Sequence, residues 1–237
     1  MEKASMEKPN PKLAGSRILD CIPQTGRCPN GCLDCYYNHG FYRSLNTPLM
    51  PTIAETEGKL VRVNTGHDSN IGRETVIAAT AQYRHKFYNT AIPSFDFPAP
   101  VVWTCNGRGQ DDTFNPHDLS PEPDLSNVMV VRVRTNTWNS DVVARIVDYF
   151  TRRRVPILLT FMRYRNLDSL KRPEDYEHRV NILNSYWCIR ETPWREIVRM
   201  FEHDPLVFTC GRFWGNSHCS NCGNCELLHA RHRGMSP

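Results

Sequence analysis

The sequence predicts an α/β fold in which parallel strand–helix–strand units form an open or partial barrel. Two observations carry this prediction. Short runs of β-branched and aromatic residues alternate with segments of helical periodicity, which is typical of βαβ units with right-handed crossovers. One run, residues 156–162, is apolar without interruption, as in a strand that is covered on both faces. About six such units fit into the chain, too few for a closed eight-stranded barrel.

The first half of the chain is predicted to contain four strands and one helix. Residues 17–23 form a strand that runs into a loop rich in Gly and Cys, and residues 59–66 form the second strand. A helix follows, because apolar side chains recur there at helical spacing: Val76, Ala79, Thr80, Tyr83 and Phe87. Further β-branched runs at 101–104 and 128–133 predict the next two strands.

The second half is predicted to contain two helices and two strands. Residues 139–154 read as a helix with Asp141 in its first turn and three Arg at its end, where they complement the helix dipole. The strand 156–162 follows. Thr192 caps a later helix with Pro193 in its first turn, and its apolar stripe consists of Trp194, Ile197, Val198 and Phe201. Residues 206–210 form the last strand.

Composition limits the class of protein. The chain has 237 residues, with 29 Lys and Arg against 25 Asp and Glu, and a net charge of +4 does not by itself indicate a nucleic-acid partner. No stretch approaches the roughly 20 apolar residues that cross a membrane, and the first residues lack a hydrophobic signal segment. We therefore expect a cytoplasmic protein without a membrane partner. In a reducing compartment, its ten cysteines indicate metal or redox chemistry.

Changes in composition and periodicity along the sequence divide the chain into three parts. Residues 1–16 form a polar tail, residues 17–209 form the barrel domain, and residues 210–237 form a small Cys-rich module that is expected to bind metal.

Three cysteines follow the first predicted strand. Cys28, Cys32 and Cys35 are spaced C-x3-C-x2-C on one loop. A [4Fe-4S] cluster held by three thiolates leaves one iron open for a substrate or cofactor, whereas structural zinc takes four ligands. The spacing therefore favours a catalytic [4Fe-4S] cluster. The alternative is a zinc knuckle in which Cys21 supplies the fourth ligand.

This loop resembles the signature of the radical S-adenosylmethionine superfamily. The turn 64–68 (Asn-Thr-Gly-His-Asp) lies where that family holds the amino group of its cofactor, and residues 104–107 resemble a Thr-Asn-Gly often found after the third strand. The chain departs from the family at Asp34, where an aromatic residue is usual. The resemblance implies a partial (β/α)6 TIM-like barrel in which the cluster reductively cleaves S-adenosylmethionine to a 5′-deoxyadenosyl radical. That radical abstracts hydrogen from a substrate, and flavodoxin or ferredoxin donates the electron.

Polar residues at the carboxyl ends of barrel strands are the candidate ligands of S-adenosylmethionine. We expect cofactor binding by Tyr37, Gly66, His67, Asp68, Asn106, Arg134 and Asn136. Arg163 faces the same site in this prediction. Cys105 and Cys188 are interpreted as buried thiols, although Cys105 stands at a strand end where it could donate a hydrogen atom.

A second set of cysteines lies near the end of the chain. Their spacing is C-x8-C-x2-C-x2-C, at Cys210, Cys219, Cys222 and Cys225. Four thiolates complete either a second, auxiliary [4Fe-4S] cluster or a structural zinc site, and His218 could replace one of them. Some radical S-adenosylmethionine enzymes carry auxiliary clusters in C-terminal extensions, which favours the cluster.

The substrate is the least determined part of the prediction. Basic residues with interleaved tyrosines, between 152 and 176, favour a nucleic acid or nucleotide over a peptide, with other small molecules open. The competing class is a non-enzymatic zinc protein that binds nucleic acid through its two Cys-rich modules.

Overall fold

A computed structural model describes residues 10–32, 34–35, 37, 44–180, 185–211 and 218–234. It contains one seven-stranded sheet and one three-stranded sheet. The strands are β1 (Ile18–Cys21), β2 (Leu60–Val63), β3 (Lys86–Thr90), β4 (Val101–Thr104), β5 (Val128–Thr135), β6 (Ile157–Phe161), β7 (Arg163–Tyr164), β8 (Tyr176–Val180), β9 (Ser185–Ile189) and β10 (Val207–Thr209).

The larger sheet is parallel throughout and has the order β1-β2-β3-β4-β5-β6-β10. It curls into a half barrel, which confirms the α/β class and is compatible with a partial TIM-like barrel. All six strands predicted from the sequence for this sheet are present, and β3 is an additional one.

Helices cover one face of the sheet. They are α1 (Arg73–Thr80) and α2 (Ser140–Thr151), whereas Ile197 of α3 (Glu191–Arg199) packs in the core of the three-stranded sheet. The apolar side of α2 packs with alternate residues of the strands in the largest hydrophobic core, where Trp103 contacts Phe150 edge to face. Because side chains alternate along a strand, the remaining strand positions point to the opposite face.

The opposite face of the sheet is apolar near the amino ends of the strands and polar near their carboxyl ends. Leu60, Phe87, Val102 and Leu158 form an inner core there, and Leu228 fills its centre with only 1% of its surface exposed. Leu228 belongs to α5 (Asn224–His232), which follows the one-turn helix α4 (Cys219–Cys222). The C-terminal helix therefore closes the lower part of the half barrel.

The smaller sheet is antiparallel, in the order β7-β9-β8, and is inserted between β6 and α3. Tyr164, Leu170, Tyr176 and Ile189 form its core, together with Ile197 of α3. This insertion was not predicted from the sequence. It begins where β6 ends, so it stands at the carboxyl edge of the larger sheet.

Two sequence predictions are wrong in detail. The helix predicted through Phe87 ends at Thr80, and Phe87 lies in β3. Thr192 does not cap α3, because that helix already begins at Glu191. Residues 1–9 of the predicted tail and residues 212–217 and 235–237 of the predicted module lie outside the described residues. Within the described ranges, no helix has the length and apolar character that crossing a membrane requires.

Candidate active site

A cavity of about 270 Å³ lies at the carboxyl ends of the parallel strands. Its wall contains all three N-terminal cysteines, Cys28, Cys32 and Cys35. The same wall contains five of the residues predicted to bind the cofactor: Tyr37, Gly66, His67, Asp68 and Arg134. Arg163 lines it as well. Segments that are distant in the sequence thus meet at the edge of the sheet where ligands bind in this architecture.

The three cysteines are half-buried free thiols. Burial raises the pKa of Cys28 to about 11, and the nearby Asp68 carboxylate adds to that increase. Burial also raises the pKa of Cys32. A bound metal is what commonly shifts such thiols to the thiolate form.

The donor set fits an iron–sulfur cluster in kind and in location, because three thiols share one cavity wall. In the part of the chain that the structure describes, however, no group of three or more His, Cys, Asp or Glu side chains is arranged to hold a metal ion. The cysteine loop would have to draw its thiols together when a cluster binds.

Asp68 connects the cysteine loop to two strand ends. Its carboxylate accepts hydrogen bonds from the Asn30 amide at 2.6 Å and from the Ala91 backbone N–H at 2.7 Å. The other carboxylate oxygen accepts from the Thr90 hydroxyl at 2.7 Å and from the Asn70 N–H at 2.9 Å. Asp68 is only 3% exposed, so these four bonds fix the loop relative to β2 and β3.

Gly66 allows a close approach between the same turn and an aromatic ring. A Cβ atom at this position would lie 2.7 Å from a ring carbon of Tyr37 and 2.9 Å from the Ile22 side chain. The Tyr37 hydroxyl accepts a hydrogen bond from Asn10. Glycine is therefore required here by packing, and Tyr37 becomes part of the cavity wall.

Two of the predicted cofactor residues are placed differently. Asn106 is fully buried, and its side-chain amide bonds both the carbonyl and the N–H of Arg134 at 2.8 Å. Asn136, also fully buried, accepts a hydrogen bond from Tyr164 at 2.6 Å. Neither is among the described residues that line the cavity. Their observed contacts hold β4, β5 and β7 together, and a role in cofactor binding stays a prediction.

Arg134 forms a buried ion pair that sequence reasoning missed. Its Nε atom lies 2.9 Å from Oδ1 of Asp111, which belongs to the loop after β4. Burial raises the pKa of Asp111 to about 6, and the positive charge of Arg134 opposes that increase. No local pattern marks Asp111 as the partner.

A second buried ion pair lies on the inner face of the barrel. Arg62 Nε is 2.8 Å from Asp20 Oδ1, and both side chains are at most 10% exposed. Burial alone would raise the pKa of Asp20, but Arg62 and hydrogen bonds from Thr65 and Asn10 hold that pKa below its usual value. A charged residue inside the apolar strand LVRV was a signal for such a site.

The C-terminal cysteines lie on short helices beside the inner face. Cys219 and Cys222 are in α4, Cys225 is the second residue of α5, and Cys210 follows β10. Burial raises the pKa of Cys225 to about 12 and also raises that of Cys219. The positive charge of Arg62 opposes both increases in pKa because it stabilises the thiolate forms, and Lys12 has the same effect on Cys219. Arg62 and Lys12 therefore place positive charge near the C-terminal cysteines.

The other thiols lie away from the cavity. Cys21 and Cys105 belong to the outer core, and Cys21 Sγ is 3.5 Å from the sulfur of Met50. Cys188 is buried in β9. None of these three is among the described residues of the cavity wall, and Cys21 is therefore not placed beside the other N-terminal cysteines.

Comparison with protein-family models, curated proteins and solved structures finds no match for this chain.

Proposed function

We propose that this protein is a radical S-adenosylmethionine enzyme. The observation that supports it best is the shared cavity: three cysteines of one loop and the Gly66-His67-Asp68 turn line it together at the carboxyl edge of a parallel half barrel. The family resemblance identified the cysteine loop and this turn only by their positions along the sequence. Their meeting in space is what a cluster and its cofactor require.

Cys28, Cys32 and Cys35 would hold the catalytic [4Fe-4S] cluster. When bound, the cluster supplies the electron that cleaves S-adenosylmethionine, so that a hydrogen atom can be removed from the substrate. The protein itself orients the reactants and excludes water. Asp68 fixes the cysteine loop through Asn30, and the ring of Tyr37 lies close against Gly66.

The C-terminal cysteines would form a second metal centre, either an auxiliary [4Fe-4S] cluster or a zinc site. The proposal is supported by three of them lying within two consecutive short helices and by the positive charge of Arg62 nearby. Thiolate centres carry net negative charge, which a neighbouring guanidinium stabilises. Metal analysis of protein prepared without oxygen distinguishes the two occupants.

The test is formation of 5′-deoxyadenosine. Protein reconstituted with iron and sulfide under anaerobic conditions is reduced with dithionite and incubated with S-adenosylmethionine. We expect Cys32→Ala to abolish the product, because two thiolates do not retain the cluster in place. Cys188→Ala is the matched control, since that thiol is buried outside the cavity, and it should form the product as the unaltered protein does.

Two outcomes contradict the proposal. Product formation by Cys32→Ala would show that this thiol does not hold the cluster. A colourless protein that contains zinc and forms no product would instead indicate the non-enzymatic zinc protein.

A further inference from the structure

The polar floor of the cavity consists of the guanidinium of Arg132 and the hydroxyl groups of Thr104 and Thr160. Arg132 points to the inner face of β5, and Thr104 stands beside it on β4 in direct register. Thr160 on β6 is in register with Arg134, two residues further along β5. All four residues line the cavity. Two residues of a strand span roughly 7 Å, so Arg132 lies deeper than the ion-paired Arg134.

Among the described residues, no acidic side chain of the cavity wall pairs with Arg132. Asp34 and Asp68 are the acidic residues of the described wall, and Asp68 already accepts four hydrogen bonds. Arg134 is paired with Asp111. By contrast, the guanidinium of the half-buried Arg132 forms no hydrogen bond or ion pair with any described residue. A partly desolvated guanidinium is stabilised by an anionic partner.

We propose that Arg132, with Thr104 and Thr160, binds an anionic group of the substrate, a phosphate or a carboxylate. The inference deepens the proposed function, on which it rests, by naming the substrate class of the same cavity. Arg163 and Lys12, which also line the cavity, add positive potential; the Arg163 guanidinium lies over the ring of Tyr186, 5.0 Å from its centroid.

A different role for Arg132 would also use its charge. It lies close enough to Cys225 to attract that thiolate, so it could act only as a counter-charge of the C-terminal metal centre. In that case its removal would weaken metal retention and leave anion binding unchanged. The two roles therefore predict different results for one variant.

The experiment measures binding of two probes, inorganic phosphate and malonate, to the reconstituted full-length protein by calorimetry. We expect saturable binding of at least one of them, weakened about tenfold or more in Arg132→Ala. Arg132→Lys should recover part of the affinity, because it keeps the charge but not the planar fork. Arg145→Ala is the control, since Arg145 is exposed on α2, and it should bind as the unaltered protein does.

The two probes distinguish a phosphate from a carboxylate group. If Arg132→Ala does not fold, Thr160→Val tests the same floor and should weaken binding less. The inference is overturned if neither probe saturates, if Arg132→Ala binds as tightly as the unaltered protein, or if that variant loses only metal. Probe binding without 5′-deoxyadenosine formation would overturn the proposed function and leave the anion site standing.

Discussion

At the scale of single residues, Asp68 links the cysteine loop to two strand ends through four hydrogen bonds. We expect Asp68→Asn to destabilise the protein by about 1–3 kcal/mol, because an amide nitrogen would face donors that now meet a carboxylate oxygen. We also expect reduced iron retention, since Asn30 ties the cysteine loop to this carboxylate. Thermal unfolding and iron content after reconstitution measure both effects.

Asp96→Asn is the control for that variant. The Asp96 carboxylate is fully exposed and pairs with Arg73, so its loss should leave stability nearly unchanged, because solvent screens exposed ion pairs. Equal effects of the two variants on stability and iron content would contradict the role assigned to Asp68.

Local spacing explains which site residues could be predicted. The cysteine triplet and the Gly66 turn are short motifs, so the sequence alone located them. Asp111 could not be found this way, because its partner Arg134 lies in β5 and no sequence pattern links that strand to the loop that contains Asp111. Asn106 was expected to bind the cofactor, but its side-chain amide forms hydrogen bonds with the backbone of Arg134.

At the scale of elements, the segment after α1 shows why a helix and a strand were confused. Tyr83 and Phe87 continue the spacing of the Val76 helical face, and both are buried. Phe87, however, belongs to β3, where Phe87 and Tyr88 point to opposite cores. A short buried apolar segment is compatible with both the helical and the strand periodicity. Hydrogen bonding to β2 and β4 makes this segment a strand.

The C-terminal helix α5 should make stability depend on pH. Burial lowers the pKa of His229 from 6.5 to about 4, so the unfolded chain takes up this proton more readily than the folded chain. Stability is therefore highest above pH 6.5 and falls as the pH drops from 6.5 to about 4. We expect a loss on the order of 2 kcal/mol over that range, measured by urea unfolding.

Two variants distinguish the effect of His229 on the pH dependence of stability from that of the carboxylates, which also titrate at low pH. His229→Leu should flatten the pH dependence between 6.5 and 4.5, whereas His203→Gln should leave it unchanged because the His203 side chain is 94% exposed. A pH profile that is the same in both variants would contradict this assignment.

At the scale of the whole molecule, the half barrel brings the two cysteine sets to one inner face. Six of its seven parallel strands, all except β3, were predicted from β-branched and apolar runs, and the order of the strands follows the chain. The position of α5 against the inner core was not predicted, because the helix has weak amphipathicity and Leu228 is the one deeply buried apolar residue among those described after β10. The antiparallel insertion was missed because its strands are short and because three of the five residues of β8 are Glu, His and Arg.

The central claim is that three cysteines hold an iron–sulfur cluster with one open iron. Electron paramagnetic resonance of the dithionite-reduced protein, before and after addition of S-adenosylmethionine, tests it most directly. We predict a reduced [4Fe-4S] signal that changes shape when S-adenosylmethionine is added and is lost in Cys32→Ala apart from any signal of the C-terminal centre. A protein that contains zinc and gives no signal, or a signal that S-adenosylmethionine leaves unchanged, would contradict the claim.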